Sequence, residues 1–287
     1  MLRLVKRVNK GIVMPLIDTP MPSPEGAQAG STALWKLPIG RRYHSLSLTY
    51  SGVTLAQMKE VRVLVNGKPF QRFTANWRDK RNQQLGLKAA GGILLIPFDR
   101  VGLKRRDQIE QTAINTDSLD ENGRGIRSFA IEIDIDEGAA GPVVLKMEAQ
   151  QSEKIGGGAG TMLHIGKYPR SIAGAGELQI ADIVYGGVTT QALNCVWFEP
   201  SAGIITKGKV ERDTYTIWSR SAALNTRRQE NGVRVPSGTD FVIDKTETGY
   251  GGDPIVLTGA QDFRYFLECS AAMTVNCMVE TLGALGD

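Results

Sequence analysis

The sequence predicts an all-β protein made of two consecutive antiparallel β-domains of the jelly-roll type. Three observations carry this. Short apolar segments with a period of two recur along the chain, turn residues are abundant, with 33 glycines and 12 prolines, and the element order of the first half returns in the second. A chain of 287 residues exceeds one ordinary domain. With 41% hydrophobic and 22% charged residues it has apolar material for two cores.

The elements follow in order. Residues 1–30 are expected to form an N-terminal arm, basic over Met1 to Lys10 and rich in Pro, Gly, Ser and Ala after Pro15. A first barrel is expected over 31–151. Its strands are Ala33 to Pro38, then Tyr43 to Tyr50, with Leu46, Leu48 and Tyr50 on one face, then Val61 to Val65. Thr54 to Lys59 reads as a single helical turn. Asn66-Gly67 marks a hairpin, because both central turn residues need positive φ, and Lys68 to Phe73 returns. Asn76 to Leu87 reads as a polar, basic helix, and Gly92 to Phe98 as a buried strand. Lys104 to Thr116 reads as a helix or long loop, and Asp120 to Gly125 as a turn. Ser128 to Asp136 alternates, with Phe129, Ile131, Ile133 and Ile135 inward, and Pro142 to Gln150 follows as a strand.

A glycine-rich linker is expected over 152–176 and a second barrel over 177–287. There Ala192 to Phe198 reads as a strand, Lys209 to Trp218 as a strand or hairpin, and Ser219 to Gln229 as a polar helix like Asn76 to Leu87. Asp240 to Asp244 takes the place of the Gly92 to Phe98 strand. The closing pair, Phe263 to Ser270 and Thr274 to Leu282, mirrors Ser128 to Gln150.

The chemistry-bearing residues are sparse. Net charge is +4, with 34 basic and 30 acidic residues. The basic clusters are scattered, among them Arg78, Lys80 and Arg81, and Arg227 and Arg228; they read as solvated faces, and sequence-specific nucleic-acid binding is not expected. Three cysteines, Cys195, Cys269 and Cys277, lack metal or disulfide spacing and read as reduced, buried thiols of a protein made in a cytoplasm. Only two histidines occur. His44 reads as a strand surface residue and His164 falls in the linker, so no histidine metal site is expected. A Ser-His-Asp triad is left open, although no Gly-x-Ser-x-Gly elbow occurs. No enzymatic activity is expected. Asp134, Asp136 and Glu137 are the candidate ligands for a hard cation, calcium, while their alternation also fits the solvated face of a strand. Arg3, Lys6, Arg7 and Lys10, interleaved with Leu2, Leu4, Val5 and Val8, suit contact with anionic lipid or a neighbouring subunit.

Two stretches then carry a resemblance. Lys36-Leu37-Pro38-Ile39-Gly40 with Tyr43, Tyr50-Ser51-Gly52-Val53-Thr54, Val61-Arg62-Val63 and Gly67 resembles the first barrel of the corticovirus major capsid protein family. Ile133-Asp134-Ile135-Asp136-Glu137-Gly138-Ala139-Ala140-Gly141-Pro142 resembles that barrel's closing strand turn. In the second half, Ile180-Ala181-Asp182 and the final strand pair are the recognisable points. The resemblance implies a double jelly roll and a homotrimer forming a pseudo-hexagonal capsomer of an icosahedral shell. It also implies an internal lipid membrane and contacts with neighbouring capsomers, penton and minor membrane-associated proteins, and places the chain in the virion of a bacteriophage-like virus. Two other readings remain. A carbohydrate-binding β-sandwich needs an exposed aromatic platform, and Trp35, Trp77, Trp197 and Trp218 are dispersed along the chain. A minor vertex or spike protein is usually one barrel, whereas this chain has two balanced halves.

Overall fold

A computed structural model describes residues 15–117, 125–153, 159–249 and 252–286. The first half comprises β1 (Ile17–Pro20), β2 (Thr32–Leu37), β3 (Arg42–Ser51), β4 (Met58–Val65), β5 (Lys68–Phe73), α1 (Ala75–Gln84), β6 (Ile93–Pro97), α2 (Arg106–Thr112), β7 (Ile114–Asn115), β8 (Phe129–Ile135) and β9 (Val144–Ser152). The second comprises β10 (Met162–Ile172), β11 (Gly176–Ile180), β12 (Ala192–Pro200), β13 (Ile205–Arg212), β14 (Tyr215–Ser221), α3 (Ala222–Gln229), β15 (Phe241–Asp244), β16 (Ile255–Val256), β17 (Phe263–Cys269) and β18 (Met273–Gly283).

The two halves repeat one another strand for strand. The first half pairs β1-β9-β3-β6 in one sheet, with β7 also on β3, and β2-β8-β4-β5 in the other. The second pairs β10-β18-β12-β15, with β16 also on β12, and β11-β17-β13-β14. Each helix at the same place, α1 or α3, follows the returning hairpin strand β5 or β14. Even the irregularities recur. The β3/β9 register slips between Tyr43 and Ser45, and the β12/β18 register slips between Leu193 and Cys195. Bulges fix register and local twist, so their repetition makes residue-by-residue equivalence between the barrels legitimate.

The hairpin tips correspond as well. Asn66 and Gly67 sit at φ 53° and 77°, and Asp213 and Thr214 at 50° and 71°. Asn66 Oδ1 accepts the Arg127 and Ser128 amides at 2.6 and 3.3 Å; Asp213 Oδ1 accepts those of Gln261 and Asp262 at 2.7 and 3.0 Å. In each barrel, then, the tip side chain pins the segment entering the next long strand. Asx side chains do this without losing the left-handed conformation that the turn needs.

Two sequence expectations need correction, and both concern the same topological strand. The expected arm 1–30 contains β1, antiparallel to β9 from Ile17 to Pro20, and the expected linker 152–176 contains the eleven residues of β10, paired with β18 throughout. Gly166 and Pro169 obscured β10. Proline is tolerated there because β10 meets β5 at a single bridge, Ile165 to Gln71, so most of its other edge needs no donor. β7, within the segment read as helix or loop, was likewise hidden by its two-residue length. The Asp120 to Gly125 turn, the glycines at 156–158 and the basic residues Arg3, Lys6, Arg7 and Lys10 lie wholly or mostly outside the described residues.

Each barrel has its own core. Trp35, Tyr43, Leu46, Leu48, Phe129, Ile131 and Ile133 are buried in the first, and Val196, Phe198, Phe263, Tyr265, Leu267 and Val275 in the second. The first core does not stop at its own sheets: Cys195, Trp197, Val242 and Met278 from the second barrel belong to it.

Candidate assembly interface

What joins the barrels is the helix that the sequence presents as a solvated basic face. Thr74 caps α1, accepting the Trp77 amide at 3.1 Å, and the helix then places Trp77, Lys80, Arg81 and Gln84 on one stripe by their three- and four-residue spacing. That stripe lies on β12, β15 and β18. The Trp77 and Trp197 rings meet edge-on with centroids 6.3 Å apart. Arg81 donates to Glu280 from Nε and Nη2 at 2.9 and 2.8 Å, and to Asp244 from Nη1 at 3.0 Å. Lys80 reaches Glu199 at 2.9 Å and Asp240 at 3.0 Å. Gln84 donates to Gln229 at 2.7 Å, and Arg234 closes the cluster on Asp244 at 2.7 Å. Below the helix, Gln71 Nε2 donates to the Leu163 carbonyl at 2.8 Å beside the β5–β10 bridge.

The charges are deeply buried: the Arg81 side chain is 1% exposed, Glu280 2% and Asp244 0%. Burial alone would raise the Asp244 carboxyl. The guanidinium charges of Arg81 and Arg234 and the Thr246 hydroxyl overrule it and hold Asp244 at about 2. Burial works against the Arg81 charge too, but Asp244 and Glu280 reverse its effect and the pKa moves up. Among the described residues Arg78 has no carboxylate in contact, and its Nε donates to Asn82 at 3.1 Å. It is pulled down to about 10 by burial and remains protonated at neutral pH. The seam is thus a paired ionic network, Arg81 and Arg234 on Asp244 and Glu280, inside an apolar ring, while Trp77 Nε1, Arg78 Nη2 and Gln84 Oε1 are buried beside it without a hydrogen-bond partner among the described residues; the ion pairs favour one relative placement of the two barrels. Its sequence signal was a pair of isolated acids in otherwise apolar strands, Asp244 after Phe241-Val242-Ile243 and Glu280 after Val279. Arg78 and Arg81, expected in solvent, are a correction.

The candidate cation ligands are not brought together. On β8, Asp134 accepts Arg62 Nη1 and Nη2 at 2.6 and 2.8 Å and the Thr32 hydroxyl at 2.7 Å; Glu132 accepts Arg62 Nε at 2.8 Å. These bonds to Arg62 hold the Asp134 carboxyl below its usual range. Asp136 pairs with Lys59 and takes the Gly138 amide, which likewise lowers it. Their partners are cations of the protein itself, and among the described residues no group of three or more His, Cys, Asp or Glu side chains is placed to hold a metal ion.

Both histidines are buried, a second correction. His44 is the bulge residue of β3, with Nε2 2.8 Å from Ser152 Oγ and Nδ1 3.4 Å from Asp99. The three side chains mimic a hydrolase relay, but Ser152 is 2% exposed and offers an acyl substrate no approach. His164, in β10, sits 3.0 Å from the Ala284 carbonyl, and burial lowers its pKa. The thiols of Cys195, Cys269 and Cys277 are buried and free, and burial raises all three. No helix among the described residues is long and apolar enough to cross a membrane.

Two jelly rolls of one topology, locked side by side by a buried seam, define the double jelly-roll fold class of viral capsid proteins. The comparisons agree. Residues 18–152 match the N-terminal domain of viral coat protein P2, and residues 162–285 match its C-terminal domain. The chain belongs to the viral coat protein P2 family. The major capsid protein P2 of Pseudoalteromonas phage PM2 is 33% identical over 132 residues, spanning 45% of this chain and 46% of that protein's length. Its crystal structure superposes with a TM-score of 0.83 at 22% identity, covering 95% of this chain and 98% of the other. The fold extends to Sulfolobus turreted icosahedral virus (TM-score 0.67, 10% identity, 94% and 91% covered) and the Faustovirus major capsid protein (0.62, 8%, 99% and 92%). The PM2 and Faustovirus relatives are major capsid proteins.

Proposed function

We propose that this chain is the major shell protein of an icosahedral virus with an internal membrane, three copies closing into a pseudo-hexagonal capsomer. The observation that carries this is the strand-for-strand duplication of the barrel, bulges included. Three copies of two equivalent barrels present six similar flanks, so one gene product tiles a near-hexagonal lattice. The rigid seam keeps each pair of flanks at a fixed angle. Near-balanced charge limits repulsion between packed copies. Penton and minor membrane-associated proteins complete the shell in this reading, and Arg3, Lys6, Arg7 and Lys10 meet anionic headgroups or neighbouring capsomers. A truncation lacking residues 1–10 that still assembles around membrane overturns that last assignment.

The carbohydrate-binding reading loses its support, because Trp35, Trp77 and Trp197 are all fully buried and cannot form a platform. The test of the shell reading is the mass of the full-length protein by light scattering, with negative-stain microscopy of the same sample. A trimer with a hexagonal outline is expected; a monomer at every concentration and ionic condition overturns it.

A further inference from the structure

The seam inside one chain is a template for a contact between chains. Within the chain, barrel one offers its β5–α1 flank and barrel two receives it on β10, β12, β15 and β18. The duplicated topology gives barrel two the same offering flank, β14–α3, and barrel one the same receiving face, β1, β3, β6 and β9. Among the described residues the outward stripe of α3 and the outer face of that sheet are left open, α3 meeting α1 at its far end through Gln229 and Gln84.

The equivalence is fixed independently at both ends. Counting from the helix caps Thr74 and Ser221, Asn82 corresponds to Gln229, and these donate to the carbonyls of Leu95 and Val242 at 2.8 Å each. Leu95 pairs with Ser47 and Val242 with Trp197, which the shared bulges independently make equivalent. The alignment therefore closes on itself.

Carried across the offering flank, this alignment gives a consistent contrast. Phe70 is 8% exposed and its counterpart Ile217 is 43%; Trp77 is 0% and its counterpart Leu224 is 48%. Lys80 and Arg81, paired in the seam, become Arg227 and Arg228, both exposed. The flank retains the apolar-plus-basic composition of the buried one, yet lies open. On the receiving face, the places of Asp240 and Trp197 are taken by Ile93, 55% exposed, and half-buried Ser47, flanked by the exposed acids Asp18 and Glu148. Arg227 and Arg228 on one flank are matched by Asp18 and Glu148 on the other, where Lys146 also stands exposed; Arg227 has Glu230 at 3.4 Å at its own helix end, and Arg228 has no such pair among the described residues.

We infer that β14–α3 of one copy docks on the β1–β9–β3–β6 face of a second copy, with Leu224 over Ser47 and with Arg227 and Arg228 towards Asp18 and Glu148. The contact is heterologous, so it propagates in one rotational sense, and with a rotation of a third of a turn per copy it closes as a ring of three. It rests on the assembly reading above and specifies which faces perform it.

The test is a full-length double variant, Leu224→Cys with Ser47→Cys, treated with a short bismaleimide; the three native cysteines are buried. Covalent dimer and trimer bands are expected on a denaturing gel, and none from either single variant. In parallel, Leu224→Asp with Arg228→Glu, both at exposed positions, is expected to keep the wild-type circular dichroism and to shift from trimer to monomer, a self-affinity loss of at least 100-fold. If the wild type is trimeric but the cysteine pair stays monomeric on the gel and the charge variant still assembles, the faces are wrong and the assembly reading survives. If the wild type itself never associates, both fall.

Discussion

Replacing Arg81 by methionine tests whether the seam holds the barrels together. Arg81 Nε and Nη2 donate to the Glu280 carboxylate at 2.9 and 2.8 Å, and Nη1 donates to Asp244 at 3.0 Å, all three groups being almost fully buried. After the change Asp244 keeps Arg234 and Thr246, whereas Glu280 keeps one hydrogen bond to it, from Asn194 at 2.9 Å. An uncompensated buried carboxylate costs about 3–5 kcal/mol. At roughly 2–4 °C per kcal/mol for a chain of this class, the melting temperature falls by about 6–20 °C. The double variant Arg81→Met, Glu280→Met removes both charges and leaves an apolar contact beside Trp77 and Trp197, so it is expected to recover half or more of the loss. Urea titration followed by tryptophan fluorescence reads this directly, since two of the four tryptophans lie on the seam. A single-variant loss below about 1 kcal/mol, the scale of a surface ion pair, refutes the reasoning. So does a double variant no more stable than the single.

The remaining predictions follow from other parts of the structure. Asp244 sits at about 2 in the fold, below its unfolded value, so its contribution is present above about pH 4 and is lost as pH falls towards 2. That contribution is roughly 2 kcal/mol, and Asp244→Asn should flatten stability between pH 4 and pH 2; an unchanged slope removes Asp244 from the acid response. Gly52 has φ +71°, and an added Cβ would stand 2.2 Å from the Pro142 carbonyl oxygen, so Gly52→Ala should open the β3–β9 end and cost about 2 kcal/mol or more. A wild-type melting curve for that variant contradicts this geometry. Cys195, Cys269 and Cys277 are buried with raised pKa values, Cys277 to about 12, and should resist a disulfide thiol reagent until the protein unfolds. Stoichiometric labelling of the native protein would count against that burial. Because Arg62 and Lys59 already occupy the Asp134 and Asp136 carboxylates, millimolar calcium or a chelator should move the melting temperature by less than about 1 °C. A calcium-dependent rise of several degrees would restore the acidic turn as a cation site.

Local patterning determined most of the fold. The alternation of Phe129, Ile131, Ile133 and Ile135 specifies β8 and its buried face, and Asn66-Gly67 specifies the β4–β5 turn, because these signals live within a few residues. The order of elements in the two halves was legible for the same reason, and so was the dispersal of chemistry-bearing residues along the chain. The short edge strand β1, and β10 with its Gly166 and Pro169, were not, because each is held by its partner's backbone rather than marked by its own side chains. The functional surfaces were less legible still. Arg81 and Arg228 are the same helix position in two barrels, and nothing local distinguishes them; one is buried because a second barrel brings Glu280 and Asp244 to it from almost 200 and over 160 residues away, and the other is exposed because no barrel of its own chain reaches it. Burial of a charge is a property of what packs against it, so sequence decided the barrel twice over, and tertiary structure decided which of its flanks was sealed and which was left open.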